Sequence, residues 1–222
     1  MPRIIAARIG HVAARLAIVF SVLSVALPIA AARADAPDRA GASGVIMQLG
    51  NGTLAILNET QPASSDRYGR FHALIAGTFD LPHIAQVVAG RFWLAASEAE
   101  RLRFTAAFGD YVTGMYAARF ARYTRQTFAV TGQRGEADGT ATVSSSVIEP
   151  NATPGERVDW RIAATAAGYR ITDVSISGVS VARTKRDEFR SIMERNGGRI
   201  VALTEALEAN HGAQTRSIAR RN

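Results

Sequence analysis

The stretch from Thr140 to Thr184 constrains this chain most. Within it, Val158-Asp159-Trp160-Arg161-Ile162 alternates apolar and polar side chains, the period of a strand with one buried face. The segment after it, Gly168 to Val181, sets apolar side chains at Tyr169, Ile171, Val174 and Ile176. The step from Ile171 to Val174 is odd, so a regular strand would turn half of its apolar residues to water. An extra residue restores the face, and the sequence therefore predicts a bulge or sharp twist near Thr172-Asp173. A sheet bent in this way can curl around something.

Two further strands precede that pair. Gln126 to Gly132 turns Phe128 and Val130 inward, and Thr140 to Glu149 puts Val143 and Val147 on one face. Gly135 to Gly139 and Pro150 to Gly155 are the turns, so the four strands read as an antiparallel meander. Helical patterns lie on both sides. Val45 to Leu57 is a helix loosened at Gly50-Asn51-Gly52, and Arg67 to Phe79 carries Phe71, Leu74, Ile75 and Phe79 on one face. Asp80 is placed to cap a helix that starts at Leu81-Pro82 and runs towards Gly90. Ser97-Glu98-Ala99-Glu100 is a capping box opening the longest helix, which ends near Tyr123. Its stripe of Phe104, Phe108, Tyr111, Val112 and Met115 continues through Tyr116, Phe120 and Tyr123. After the sheet, Thr184-Lys185-Arg186-Asp187 reads as another capping box, Phe189, Ile192 and Met193 face inward, and Gly197-Gly198 stops the helix. A last helix carries Ile200, Leu203 and Leu207. The expected class is α+β: N-terminal helices, a curved four-stranded meander, then C-terminal helices.

Residues 1–34 read as a targeting segment. Arg3, Arg8 and Arg15 precede the apolar run Leu16 to Leu27, and Ala32-Arg33-Ala34 fits a small-x-small cleavage site, with the cut before Asp35. The run is shorter than the ~20 residues of a spanning helix, and Pro28 ends it. Residues 35–222 are then one domain, with a mobile start from Asp35 to Ser43 and a basic tail from about residue 211 holding Arg216, Arg220 and Arg221. The leader holds four arginines and no acidic residue, so the whole-chain charge of +7 falls to +3 without it. That is not the charge of a nucleic-acid binder. There is no cysteine, hence no disulfide and no thiolate metal site.

Motifs that carry chemistry are scarce. His72, His83 and His211 lie far apart with no HxxxH or HExxH pairing, so no metal site is expected. Neither a GxSxG elbow nor a P-loop is present. Asp110, beside Tyr111, is the best candidate for an acid or base, and a solvated helix aspartate is the plainer reading of it. No catalytic residue is assigned.

Three stretches carry a resemblance. They are Phe79-Asp80-Leu81-Pro82 through Trp93, then Ser97 to Glu100 followed by Phe108-Gly109-Asp110-Tyr111, and then Gly178 through Phe189 trailing into Gly197-Gly198 and Leu203. In this order, behind a leader, they resemble the MlaC family, also called the toluene-tolerance family, over roughly Phe71 to Ala209. A hopanoid-associated branch of the family has similar helices. The resemblance implies an NTF2-like or cystatin-like cone of helices and curved sheet. It implies a soluble, monomeric periplasmic phospholipid carrier, working between an outer-membrane lipoprotein complex and an inner-membrane ABC transporter with MCE-type subunits. Such a role maintains outer-membrane lipid asymmetry and needs no cofactor other than the bound lipid.

The physics of that role agrees with the missing catalytic groups. Exposing acyl chains to water costs ~0.8 kcal/mol per CH₂, well over 20 kcal/mol for two tails, and a carrier offsets this with a dry apolar cavity. Candidate lining residues are Phe108, Tyr111, Val112 and Met115 from the long helix, Val147, Trp160, Ile162, Val174 and Ile176 from the concave face of the sheet, and Phe189 and Ile192 from the closing helix. Each also reads as an ordinary core residue, because a cavity wall and a core have the same composition. Two other classes fit the sequence: an NTF2-like enzyme using Asp110 or His83 as base, and a periplasmic adaptor that binds no lipid.

Overall fold

The computed structural model describes the backbone of residues 39–57, 64–120, 127–148 and 154–219. The proposed leader and its cleavage site, the far end of the long helix at Tyr123, and the side chains of Phe128, Val147 and the C-terminal arginines lie outside the described residues. Helices α1 (Arg39–Leu57), α2 (Ser64–Thr78), α3 (Leu81–Ala89), α4 (Phe92–Ala95) and α5 (Glu98–Phe120) come first. Strands β1 (Thr127–Gly135), β2 (Ala141–Ile148), β3 (Pro154–Thr165), β4 (Gly168–Ile176) and β5 (Val179–Ser180) follow, then α6 (Val181–Arg195) and α7 (Ile200–Ala219). The expected α+β order holds. The four-stranded meander gains a two-residue fifth strand, and the antiparallel sheet has the order β1-β2-β3-β4-β5.

The bulge lies where the odd step placed it. Arg161 pairs with Asp173 and Ile162 with Ile171, which leaves Thr172 as the extra residue in β4. Parity is thereby restored: Ala141, Ile162 and Ile171 form one row across the buried face, and Val143, Trp160 and Val174 the next. The indole Nε1 of Trp160 donates to Ser145 Oγ at 2.8 Å, so its one polar atom is satisfied inside the core. The other face is polar, with Arg157 on Asp159 and Arg161 on Asp138.

Helix α1 lies against β1 to β4. Gly41 permits this approach, since a β-carbon there would sit 2.0 Å from Cε2 of Tyr169. Two expectations fail on α1. The stretch from Arg39 to Ser43 is helical, with Ala42 fully buried and Ser43 Oγ donating to Gln133 Oε1 at 2.6 Å. The helix also runs unbroken through Gly50-Asn51-Gly52. Packing overrides propensity there: Gly52 lies under the Leu74 side chain of α2, where a β-carbon would approach to 2.8 Å.

Asp80 caps α3 as expected, accepting from the backbone N–H of His83 at 3.1 Å. The Ser97–Glu100 box is reciprocal: Glu100 Oε2 accepts from the Ser97 N–H at 2.8 Å, and the Glu100 N–H donates to Ser97 Oγ. The second predicted box is displaced. α6 starts at Val181 and is capped by Ser180, whose Oγ accepts from the Arg183 N–H at 3.1 Å. Thr184 instead donates its hydroxyl to the Ser180 carbonyl, one turn inside the helix. The cause is upstream. The chain reverses at Ser177-Gly178, both at positive φ, so the stretch read as strand through Val181 is a turn and the β5 stub. Gly197 and Gly198, at φ 72 and 73, end α6 with the Gly198 N–H on the Met193 carbonyl. α7 packs along α5 and continues to Ala219, so the backbone of the expected tail is helical that far.

Gly41→Ala is expected to lower stability by about 1–3 kcal/mol in urea unfolding, by forcing the Tyr169 ring aside. Most of that loss should vanish in a Tyr169→Leu background. A strictly additive pair would show that the helix does not rest on this ring.

Candidate functional site

The bulge does more than keep the sheet amphipathic. The Asp80 N–H donates to the Ile171 carbonyl at 2.9 Å, and Phe79 bridges to Ile171 in parallel, so the joint between α2 and α3 is fixed to β4 just before the extra residue. Just after it, Asp173 Oδ1 accepts from the Val174 N–H at 2.8 Å and from the Ala182 N–H at 3.3 Å, which ties the first turn of α6 to the strand. Two helices are thus hung from three consecutive residues. The space between them, roofed by α5, is a cleft.

Its walls are Phe79, Ile84 and Val88 on one side, Phe108, Tyr111, Val112, Met115 and Tyr116 from α5, and Val174, Val181 and Ala182 opposite, with Asp173 and Lys185 as the charged members. The rings are in contact: Phe79 and Tyr116 lie 5.4 Å apart between centroids, Phe108 and Tyr111 6.3 Å, and Tyr111 meets Phe189 edge-on at 5.7 Å. The volume of the cleft is about 40 Å³. That is on the order of a tenth of a pocket that holds a drug-sized ligand, ~300–1,000 Å³. A hollow wide enough for acyl chains is therefore not open here; in its place stands a narrow apolar cleft whose walls lie together.

Five of the eleven expected lining residues border this cleft: Phe108, Tyr111, Val112, Met115 and Val174. Trp160 and Ile162 are buried in the core under the sheet, and Ile176 and Ile192 pack on that core half-buried. Phe189 stands behind Tyr111 and does not border the cleft. Val147 has its side chain outside the described residues. Of the apolar lining, the sequence reading missed Phe79, Ile84, Val88, Tyr116, Val181 and Ala182. Their apolar periodicity was visible, but it does not say that α3 and α6 meet across the cleft.

The charged members differ in their freedom. Asp173 is held by the two backbone N–H groups named above. Lys185, about a quarter exposed, sits 5.8 Å over the Tyr111 ring and places Nζ 2.7 Å from Glu188 Oε2. Burial works against its charge, but the bond to Glu188 and the Tyr111 contact outweigh this and hold the ammonium above the usual lysine range.

A polar cluster lies apart from the cleft, where α2, α5 and α7 meet. The Tyr68 hydroxyl is 3.2 Å from Asp110 Oδ1 and 3.4 Å from His211 Nδ1, and His72 Nε2 is 3.6 Å from the same carboxylate oxygen. The phenol beside Asp110 is thus Tyr68, and Tyr111 points to the cleft instead. Neither Asp110 nor His83 borders the cleft. Sequence distance hid this grouping, since its members come from three helices. Among the described residues no group of three or more His, Asp or Glu is placed to hold a metal ion. No described helix is long and apolar enough to cross a membrane.

Burial first, and then the Asp110 carboxylate, push the Tyr68 phenol far above its ordinary value. Below about pH 10 the phenol is neutral in folded and unfolded chains alike. Above that, the unfolded chain loses this proton while the folded chain keeps it, so stability falls as pH rises. Alkaline denaturant titrations should show a steeper loss above about pH 10 in the wild type than in Tyr68→Phe. Equal slopes would mean that the phenol titrates normally.

Comparison with known proteins follows the same outline. The protein-family model described as MlaC protein matches residues 48–209. Among solved structures, a phospholipid-binding protein from Ralstonia solanacearum, determined in complex with a phospholipid, superposes with a TM-score of 0.64 at 22% identity, covering 78% of this chain and 97% of that one. Spanning most of the sequence, from the middle of α1 to the middle of α7, the family match establishes that this chain belongs to the MlaC family.

Proposed function

We propose that this chain is a periplasmic phospholipid carrier. It would be exported by a leader cleaved before Asp35, and would hold acyl tails between α3, α5 and α6 with the headgroup towards water. The observation that carries this reading is the cleft itself: an apolar wall of five α5 side chains, faced by two helices tethered at the bulge. Family membership supports it, as does the Ralstonia protein of the same fold, whose structure contains a phospholipid. On this reading the lipid travels between an outer-membrane lipoprotein complex and an inner-membrane MCE-type ABC transporter, the chain acts as a monomer without catalysis, and residues 35–222 form the single binding domain.

Loading has to part the walls. The candidate for the moving wall is α6, which buries only Ala182, Phe189 and Met193 and is bracketed by the positive-φ turns at Ser177-Gly178 and Gly197-Gly198. α3, only nine residues long, buries four: Ile84, Ala85, Val88 and Ala89. Tails entering the cleft exchange contacts among Met115, Tyr116 and Val181 for contacts with methylenes. The work of opening is therefore offset by the ~0.8 kcal/mol per CH₂ that the chains recover on leaving water.

Native mass spectrometry of the protein purified from its periplasm is expected to show a bound phospholipid, released and identified by solvent extraction. Met115→Trp fills the cleft from its half-buried edge and is expected to abolish the bound species while urea unfolding stays cooperative. A wild-type spectrum with no bound lipid, or an unchanged lipid load in Met115→Trp, would count against a carrier working through this cleft.

A further inference from the structure

We infer that Lys185 is the headgroup contact of the cleft, and that it selects amphiphiles whose polar end carries a negative charge, a phosphate or a carboxylate. The inference rests on the cleft being where the apolar chain lies. Among the lining residues Lys185 is the cation, and its one anionic companion, Asp173, has a carboxylate oxygen committed to two backbone N–H groups. The Lys185 ammonium lies over the Tyr111 ring, and about a quarter of the side chain reaches water, so this amphipathic side chain meets both oil and water. A chain seated against Tyr111 brings its polar end to that ammonium.

Glu188 holds the place that the headgroup would take. Its carboxylate lies 2.7 Å from Nζ, one turn along α6, and it is half exposed whereas Lys185 is about a quarter exposed. An ammonium has three N–H donors, and the contact with Glu188 uses one. An arriving anion either shares Nζ with Glu188 or turns it out to water. Glu188 turns out cheaply because it is already half hydrated. The pair thus makes opposite predictions for its two members: removing the cation weakens anionic ligands, and removing the competing carboxylate tightens them. A merely structural ion pair would lose stability in both variants and show no ligand dependence.

The test uses three single-chain amphiphiles with the same acyl length: a lysophosphatidic acid, a fatty acid and an uncharged monoacylglycerol. Their affinities are read by isothermal titration against full mature protein. In Lys185→Met, affinity for one or both anionic amphiphiles should fall about tenfold, the size of one charge-assisted hydrogen bond, while the monoacylglycerol is unaffected. Lys185→Arg should keep the preference, and Glu188→Gln should sharpen it. If only the lysophosphatidic acid responds, the head is a phosphate; if only the fatty acid, a carboxylate. Equal losses for all three ligands, or no change for any, would overturn the role of Lys185 and leave tail binding intact. Failure of the wild type to bind any of the three would overturn both this inference and the carrier reading beneath it.

Discussion

One extra residue in a strand organises this structure. Thr172 lets β4 keep Ile171 and Val174 on the same buried face although they are three apart in sequence. The distortion also frees backbone and side-chain groups on either side of it. The Ile171 carbonyl receives the joint between α2 and α3, and the Asp173 carboxylate receives the first turn of α6. A strand edge that would otherwise present bare hydrogen-bonding groups to water is covered in this way. The cleft follows, because two helices fastened to neighbouring residues of one strand stand on either side of it, and α5 closes the gap with aromatic side chains.

The composition of that gap decides its chemistry. Nearly everything lining it is apolar, and its cation lies over an aromatic face. The polar side chains that might suggest acid–base work gather elsewhere, on the surfaces of α2, α5 and α7 around Tyr68 and Asp110. There they join three helices and do not border this cleft. An aspartate next to a tyrosine in sequence invites a catalytic reading, and the helix geometry removes it. Residues 110 and 111 point about 100° apart around α5, so one meets Tyr68 and the other meets Phe189.

The narrowness of the cleft is as informative as its lining. Close packing of large flexible side chains keeps an apolar surface dry when no chain lies between them, and it leaves walls that separate without breaking backbone ladders. α6 meets this condition better than the sheet does: its attachments are a capping carboxylate, a few buried side chains and two turns, whereas the strands are held by continuous pairing. Parting the walls at α6 therefore breaks fewer backbone hydrogen bonds than parting them at the sheet.

The sequence by itself determined the period of β3 and β4 and the position of the bulge between them, because side-chain alternation and an odd step are local properties. It determined the Asp80 and Ser97–Glu100 helix starts for the same reason: a cap bonds backbone groups within three residues. It misjudged α1 at Gly50-Asn51-Gly52 and placed the start of α6 too late, since Leu74 packing and the Asp173 tether come from distant segments. The tertiary structure alone decided which apolar residues are core and which are wall. Trp160 and Val174 face each other across β3 and β4, yet one is buried under the sheet and the other borders the cleft. Hydrophobicity records only that a side chain avoids water, and whether it does so against protein or across a gap depends on where α3 and α6 cross.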